Sequence, residues 1–208
     1  MAATITKEID KQNKVIYKIV NDGAASDDTD TLVSDVSTLY GAVIDIDMGA
    51  VPAAFAPQTI VTQQTSNATG TVLRISGNSL IVSLGNGSAA FTGTNVIDGF
   101  DASGGAINDT PTGTYVNNSR VSVLGLWWTV QGSNRVLLEW DADTDDRLIS
   151  LGGNGKLNRG DMYVFTNPES TGVNGDVLVN WTSGANTGYT IILELEKTSG
   201  FEYPNTTY

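Results

Sequence analysis

The stretch TVLRISGNSLIVSL, residues 71–84, decides the class of fold. In its first half Leu73 and Ile75 alternate with Val72, Arg74 and Ser76, which gives a strand with one apolar face. Residues 77–78, Gly-Asn, then supply the positive φ angles that a tight two-residue turn needs. A second apolar run follows the turn, so the stretch predicts an antiparallel β-hairpin.

The rest of the chain repeats this pattern. Short runs rich in Val, Ile, Leu, Tyr and Trp are separated by 23 glycines and by many Asn, Asp, Thr and Ser residues, which is typical of strands joined by turns. No window carries apolar residues at the helical spacing i, i+3, i+4, i+7, so we predict little helix. The predicted strands are Lys14–Val20, Ala42–Met48, Thr59–Thr62, Thr71–Ser76, Ser79–Leu84, Arg120–Val130, Arg135–Trp140, Arg147–Leu151, Met162–Thr166, Asp176–Trp181 and Gly188–Glu196.

Two more hairpins are predicted in the second half of the chain. One joins Trp128–Val130 to Arg135–Trp140 through the Gly-Ser-Asn turn at residues 132–134. The other joins Met162–Thr166 to Asp176–Trp181 through a longer loop that contains Gly and Asn. These closely spaced strands indicate a sandwich or a barrel.

We therefore predict an all-β fold: an antiparallel, jelly-roll-like β-sandwich with extended arms at both ends. Residues 14–197 form the predicted domain, with a possible internal boundary in the Gly- and Asn-rich segment 85–119. The polar residues 1–13 are the predicted N-terminal arm, and residues 198–208 are the predicted C-terminal arm.

Composition excludes several classes of function. The chain has no histidine and no cysteine, which rules out Ser-His-Asp and Cys-His catalysis, disulfides, and metal sites built on thiolate or imidazole. Its formal net charge of −12 disfavours nucleic acid and anionic membranes as partners. No signal peptide and no membrane-spanning stretch is expected from the sequence. We expect no enzyme activity and no cofactor, since no pair of carboxylates stands out for glycoside hydrolysis.

The acidic turn at residues 141–146 is the main candidate for a cation, and the acidic segment at residues 27–30 is a weaker one that is interpreted as a loop. Asp141, Asp143 and Asp145 match the opening of a calcium loop of the EF-hand type. That loop requires Gly at its sixth position, where Asp146 stands, and Glu at its twelfth, where Gly152 stands. A solvated turn between two strands is therefore the preferred interpretation.

Aromatic residues are the candidates for an interface. Trp127 and Trp128 are adjacent in a predicted strand and must point to opposite faces. One belongs in the core, and the other has to meet a second layer, a subunit or a ligand. Phe201, Tyr203 and Tyr208 lie beyond the last strand and indicate an assembly arm.

The order of motifs in residues 120–197 resembles that of virion structural proteins of tailed bacteriophages, particularly of marine phages and cyanophages. The motifs are LWWTV, RVLLEWDADTD, LISLGGNGKL, GDVLVNW and TGYTIILELEK, and they cover about two-fifths of the chain.

The resemblance implies a non-enzymatic building block of a virion that is made in the host cytoplasm. It implies a capsid decoration (cement) protein that binds the major capsid protein or other virion proteins, often as a homo-oligomer such as a trimer. A neck, tail, baseplate or fibre component that binds a receptor or glycan is the alternative. A carbohydrate-binding or glycosidase domain is a third hypothesis, based on the aromatic residues and the many carboxylates.

Overall fold

The computed structural model describes residues 3–23, 27–50, 52, 54–158, 175–182 and 188–204. The chain divides into two compact units, one formed by Met1–Val36 with Arg120–Thr198 and the other by Ser37–Ser119 with Ser199–Tyr208. The predicted domain 14–197 includes parts of both units, and one boundary between them, at residues 119–120, lies at the end of the Gly- and Asn-rich segment. No helix in the described part of the chain is long and apolar enough to cross a membrane.

The described residues of the first unit form a five-stranded and a four-stranded sheet. Their strands are β1 (Thr4–Asp10), β2 (Lys14–Asn21), β3 (Asp28–Ser34), β11 (Arg120–Val130), β12 (Val136–Trp140), β13 (Asp146–Leu151), β14 (Asn154–Asn158), β15 (Val177–Trp181) and β16 (Tyr189–Ser199). The five-stranded sheet has the order β1-β2-β16-β11-β14, and the four-stranded sheet has the order β13-β12-β15-β3.

Side chains join the two sheets of the first unit into a sandwich. The ring of Trp181, in β15, meets the ring of Tyr189, in β16, edge to face with centroids 5.6 Å apart. The Tyr189 hydroxyl donates to the buried carboxylate of Asp28, in β3, at 2.8 Å. Burial is the main cause that raises the pKa of Tyr189, and the neighbouring Asp28 adds to it. These contacts fix which faces of the two sheets are internal.

The second unit is a single seven-stranded sheet. Its strands are β4 (Val43–Asp47), β5 (Ile60–Gln63), β6 (Thr69–Ser76), β7 (Ser79–Leu84), β8 (Ile97–Phe100), β9 (Ala106–Asp109) and β10 (Tyr115–Asn117). They follow one another in the order β10-β4-β7-β6-β5-β8-β9. A short 3₁₀ turn, Val36–Thr38, precedes the sheet in the chain.

This seven-stranded sheet must be strongly curved. Its two edge strands, β9 and β10, are joined by residues 110–114 alone, which reach at most about 21 Å when extended. In a flat sheet seven strands would place the two edges about 29 Å apart. A side-chain bond spans the curve: Gln63, in β5, donates through Nε2 to the hydroxyl of Tyr115, in β10, at 2.8 Å. One apolar core lies inside the curve.

The predicted all-β, antiparallel fold is confirmed, while the jelly-roll strand order stays a prediction. The first predicted hairpin is present as β6 and β7, with Ser76 opposite Ser79. In the turn, Gly77 has a positive φ of 59°, whereas the φ of Asn78 is not positive. A positive φ at the first turn position alone is typical of a type II′ turn.

The second predicted hairpin is wrong. β11 pairs with β14 and β16, whereas β12 pairs with β13 and β15 in the other sheet. The turn after Val130 therefore carries the chain from one sheet of the sandwich to the other. The third predicted hairpin includes Met162–Thr166, which lies outside the described residues.

Most of the predicted N-terminal arm is a strand of the five-stranded sheet. Residues 4–10, in the predicted N-terminal arm, form β1, which pairs antiparallel with β2. Lys197, near the end of β16, places its Nζ 2.6 Å from Asp10 Oδ1, and both side chains are buried. Lys7 contributes a second, more exposed ion pair to the same carboxylate at 3.1 Å. These ion pairs hold the end of β1 to the sheet.

Candidate functional site

Trp127 and Trp128 point to opposite faces of the five-stranded sheet. Trp128 shares its face with the fully buried Leu126, and its indole N–H donates to the carbonyl oxygen of Gly152 at 3.2 Å. Its ring covers Gly155, which has no side chain to prevent this approach. Trp127 is 37% exposed on the opposite face, so it is the outward member of the pair.

The face that carries Trp127 also carries a second exposed apolar residue and several charges. Ile192, in β16, is 39% exposed. Lys14 and Glu194 form an ion pair at 2.5 Å, and Lys156 is the cross-strand partner of Trp127. We call this surface the outer sheet face. It offers apolar contact area bordered by both signs of charge, and its role as an interface stays a prediction.

The predicted aromatic arm packs on its own chain as far as it is described. Phe201 forms an isolated β-bridge with Ala42 and packs against the core of the second unit. The ring of Tyr203 lies over Gly41 and meets the ring of Tyr40 with centroids 5.3 Å apart. A Cβ at position 41 would lie only 2.1 Å from the Tyr203 ring, so this docking depends on glycine. Tyr208 lies outside the described residues.

The acidic candidates separate in the structure. Asp145 lies with Asp30 and Glu139, and their carboxylate oxygens are all within 4.8 Å of one another. Asn180 donates through Nδ2 to Asp30 at 2.9 Å and also donates to Glu139. Asp141 and Asp143 are not part of this group. The Asn180 amide already donates to two of the three carboxylates, so we assign no metal to this group.

Asp176 is the carboxyl group with the most altered acidity among the described residues. Burial is the main cause that raises its pKa, to about 7, and the charges of Asp35 and Asp141 add to it. The N–H of Val36 donates to Asp176 Oδ1 at 2.7 Å and acts in the opposite direction. We therefore expect the protonation state of Asp176 to change near neutral pH.

An open groove on the outside of the second unit was not predicted. It has a volume of about 490 Å³ and lies across β5, β8 and β9. Ile60 is 63% exposed in it, and Phe100 is 49% exposed. We call it the β5–β8–β9 groove. It combines an exposed aromatic ring and an aliphatic side chain with polar neighbours.

Register explains how the groove is built. Thr62 lies opposite Asp98, and Asp98 lies opposite Asn108, so these side chains form a polar row across three strands. Phe100 lies opposite Ala106, and Ile60 lies two residues before Thr62 on the same face. These three form an apolar row beside the polar one. Gly99, between the rows, faces the core instead, next to the ring of Phe55.

The sequence does contain a signal for this groove. Residues 97–109 read Ile-Asp-Gly-Phe, a turn, and Ala-Ile-Asn-Asp, which is a short alternating hairpin. Because segment 85–119 has low hydrophobicity, the sequence indicated only a possible domain boundary there and no strands. The turn residue Asp101 accepts hydrogen bonds from the N–H groups of Ser103 and Gly105, both at 2.8 Å. An Asp that closes its own turn in this way is recognisable from sequence.

No protein-family profile matches the chain, and no curated protein matches its sequence significantly. The residues that the structure describes form an all-β fold of three antiparallel sheets.

Proposed function

We propose that the chain is a structural protein of a tailed bacteriophage virion and that it binds the head shell as a capsid decoration protein. The observation that carries this proposal is the placement of exposed apolar side chains. Leu32 in β3 is 47% exposed, Val116 in β10 is 45% exposed, and Trp127 lies on the outer sheet face. Each of the three sheets therefore presents an apolar residue to solvent.

Two of these residues lie on edge strands. β3 is the last strand of the four-stranded sheet, and β10 is an edge of the seven-stranded sheet. An edge strand offers backbone groups to a neighbouring chain, and monomeric proteins usually protect it with charges or proline. β3 carries one exposed charge, Asp30, but the exposed side chains of Leu32 and Val116 add apolar area to these two edges. Strand pairing with apolar contact is a common way for subunits to join.

A decoration protein contacts several neighbours at once, which requires several separate surfaces. The outer sheet face and the two edge strands meet this requirement. The partners we propose are the major capsid protein, other virion proteins and further copies of this chain. The net charge of −12 favours neutral or basic protein surfaces and disfavours the packaged DNA.

The test uses phage heads that lack the protein. Purified chain is mixed with these heads, which are then sedimented, and their resistance to heat is measured. We expect the chain to sediment with the heads and to raise the temperature at which they open. W127A should weaken the binding because it removes the exposed ring, while T129A, at an exposed site on the same face, should not. Heads that are neither coated nor stabilised would contradict the proposal.

A second candidate function is a tail, baseplate or fibre component that binds a receptor. The β5–β8–β9 groove favours it, since a shell-binding protein has no need for a small concave site. The two functions differ in the number of copies in each virion.

A further inference from the structure

We propose that the β5–β8–β9 groove is a binding site for a neutral saccharide, in which one pyranose ring lies along the two rows of side chains. This inference goes beyond the proposed assembly role. It depends only on the second unit, where every residue that lines the groove is described.

The apolar row fits one face of a sugar ring. A pyranose has a face of C–H groups and an edge of hydroxyl groups. The Phe100 ring is about half-exposed and the Ile60 side chain is more exposed, so they offer an apolar platform for the C–H face. Ala106, opposite Phe100, is small and leaves the platform accessible on the β9 side.

The polar row fits the hydroxyl edge. Each sugar hydroxyl both donates and accepts a hydrogen bond. Asp98 supplies acceptors, the Asn108 amide supplies both kinds of group, and the Thr62 hydroxyl does the same. Gln64 Nε2 donates to Asp98 Oδ2 at 2.9 Å and so holds that carboxylate in place. A lysine or arginine from a peptide would use only the acceptors in this row.

The charge of the second unit argues against an anionic ligand. Arg74 is the one Lys or Arg in residues 37–119 and 199–208, against six Asp and Glu residues. Its Nη1 lies 3.2 Å from Glu202 Oε1, so its charge already has a partner. A phosphate, sulfate or uronic acid would therefore meet Asp98 with no cation to compensate.

The groove is preorganised for binding. Its β8–β9 turn is held by Asp101, whose Oδ1 accepts from the Ser103 hydroxyl at 2.6 Å as well as from two backbone N–H groups. The hydrogen bond from the Ser103 hydroxyl is the main cause that lowers the pKa of Asp101, and the backbone N–H groups add to it. The volume of about 490 Å³ is ordinary for a small-molecule site.

The experiment is a nuclear magnetic resonance titration of the isotope-labelled full chain. The neutral probes are the methyl glycosides of glucose, galactose, mannose and N-acetylglucosamine, with maltose, cellobiose, lactose and chitobiose. Glucuronic acid is the anionic probe, and a short Lys- and Phe-containing peptide is the basic apolar probe. We expect at least one neutral probe to shift the amide signals of Ile97–Phe100 and Ala106–Asp109, while glucuronic acid does not.

Substitutions separate binding from folding, since the side chains concerned are exposed. F100A should weaken the binding of that probe at least tenfold, and N108A should weaken it several-fold. I75A removes an exposed apolar side chain from another strand of the same sheet and should leave binding unchanged.

Three outcomes would overturn the inference: no neutral probe shifts the groove signals, the basic peptide alone binds there, or F100A binds as tightly as the unsubstituted chain. The head-binding test is separate, because F100A should coat heads normally. The two proposals can therefore fail independently.

Discussion

Replacing Asp176 by asparagine should change how the stability of the protein depends on pH. The pKa of Asp176 is raised to about 7 in the folded chain, mainly by burial, whereas the ordinary value is 3.8. Between about pH 4 and about pH 7 the folded state therefore holds a proton that the unfolded state has lost. Binding more protons in the folded state means that the contribution of Asp176 to stability falls as pH rises through this window.

The size of the effect follows from the pKa difference. Each pH unit between the two pKa values is worth about 1.4 kcal/mol, so the full difference is worth about 4 kcal/mol. Asp176 is only half-buried, so we expect water to reduce the effect to ~2 kcal/mol. The asparagine of the D176N variant would still offer its carbonyl oxygen to the Val36 N–H, which keeps the local hydrogen bond.

The assay is urea denaturation in small steps from about pH 4.5 to about pH 8.5, with the free energy of unfolding extrapolated to water at each pH. Relative to the unsubstituted chain, D176N should gain stability as pH rises, by ~2 kcal/mol across the window. D101N is the control, because the pKa of Asp101 is lowered and this group stays ionised throughout. Equal pH dependence of the unsubstituted chain and D176N would refute the reasoning.

Two further predictions concern the stability of the two units: one tests a close contact at a glycine, and the other tests a buried ion pair. G99A should destabilise the fold by about 1–3 kcal/mol, because the new Cβ would lie 2.8 Å from the ring of Phe55 in the core. G152A is the control and should be neutral, since its Cβ would have no contact nearer than 3.8 Å. Urea denaturation measures both variants, and equal unfolding midpoints would contradict the prediction. K197M should destabilise by about 1–3 kcal/mol because it leaves the buried carboxylate of Asp10 with one cation, and K7M should cost less than about 1 kcal/mol since Lys7 is partly exposed. Thermal unfolding of both variants checks the order, and a larger loss for K7M would show it to be wrong.

The strands with strong alternation were predictable from the sequence. β11 was predicted with its observed bounds, Arg120–Val130, because Val, Leu and Trp mark it clearly. β1, β3, β8, β9, β10 and β14 were missed because most of their sequences are short or rich in Thr, Asp, Asn and Gly. Such strands form because a neighbour completes their hydrogen bonds, which intrinsic preference does not report.

Partners in space were harder to predict than strands. The short Gly-containing turn after Val130 suits a hairpin, yet it connects the two sheets of the sandwich, and nothing in its own residues distinguishes these cases. The position of the Tyr203 ring depends on Gly41, which is far away in the sequence and leaves room for the ring because it has no side chain. The sequence predicted that either Trp127 or Trp128 in the candidate interface faces outward. The structure identifies it as Trp127, because Trp128 lies on the same face of the strand as the buried Leu126.

The most direct test of the proposed role is the number of copies of this chain in a purified virion, measured by quantitative mass spectrometry against the major capsid protein. A decoration protein should be present in hundreds of copies and should stay in the head fraction when heads and tails are separated. Complete absence from purified virions would contradict the account, and a handful of copies that stay with the tails would replace the decoration role with the tail component.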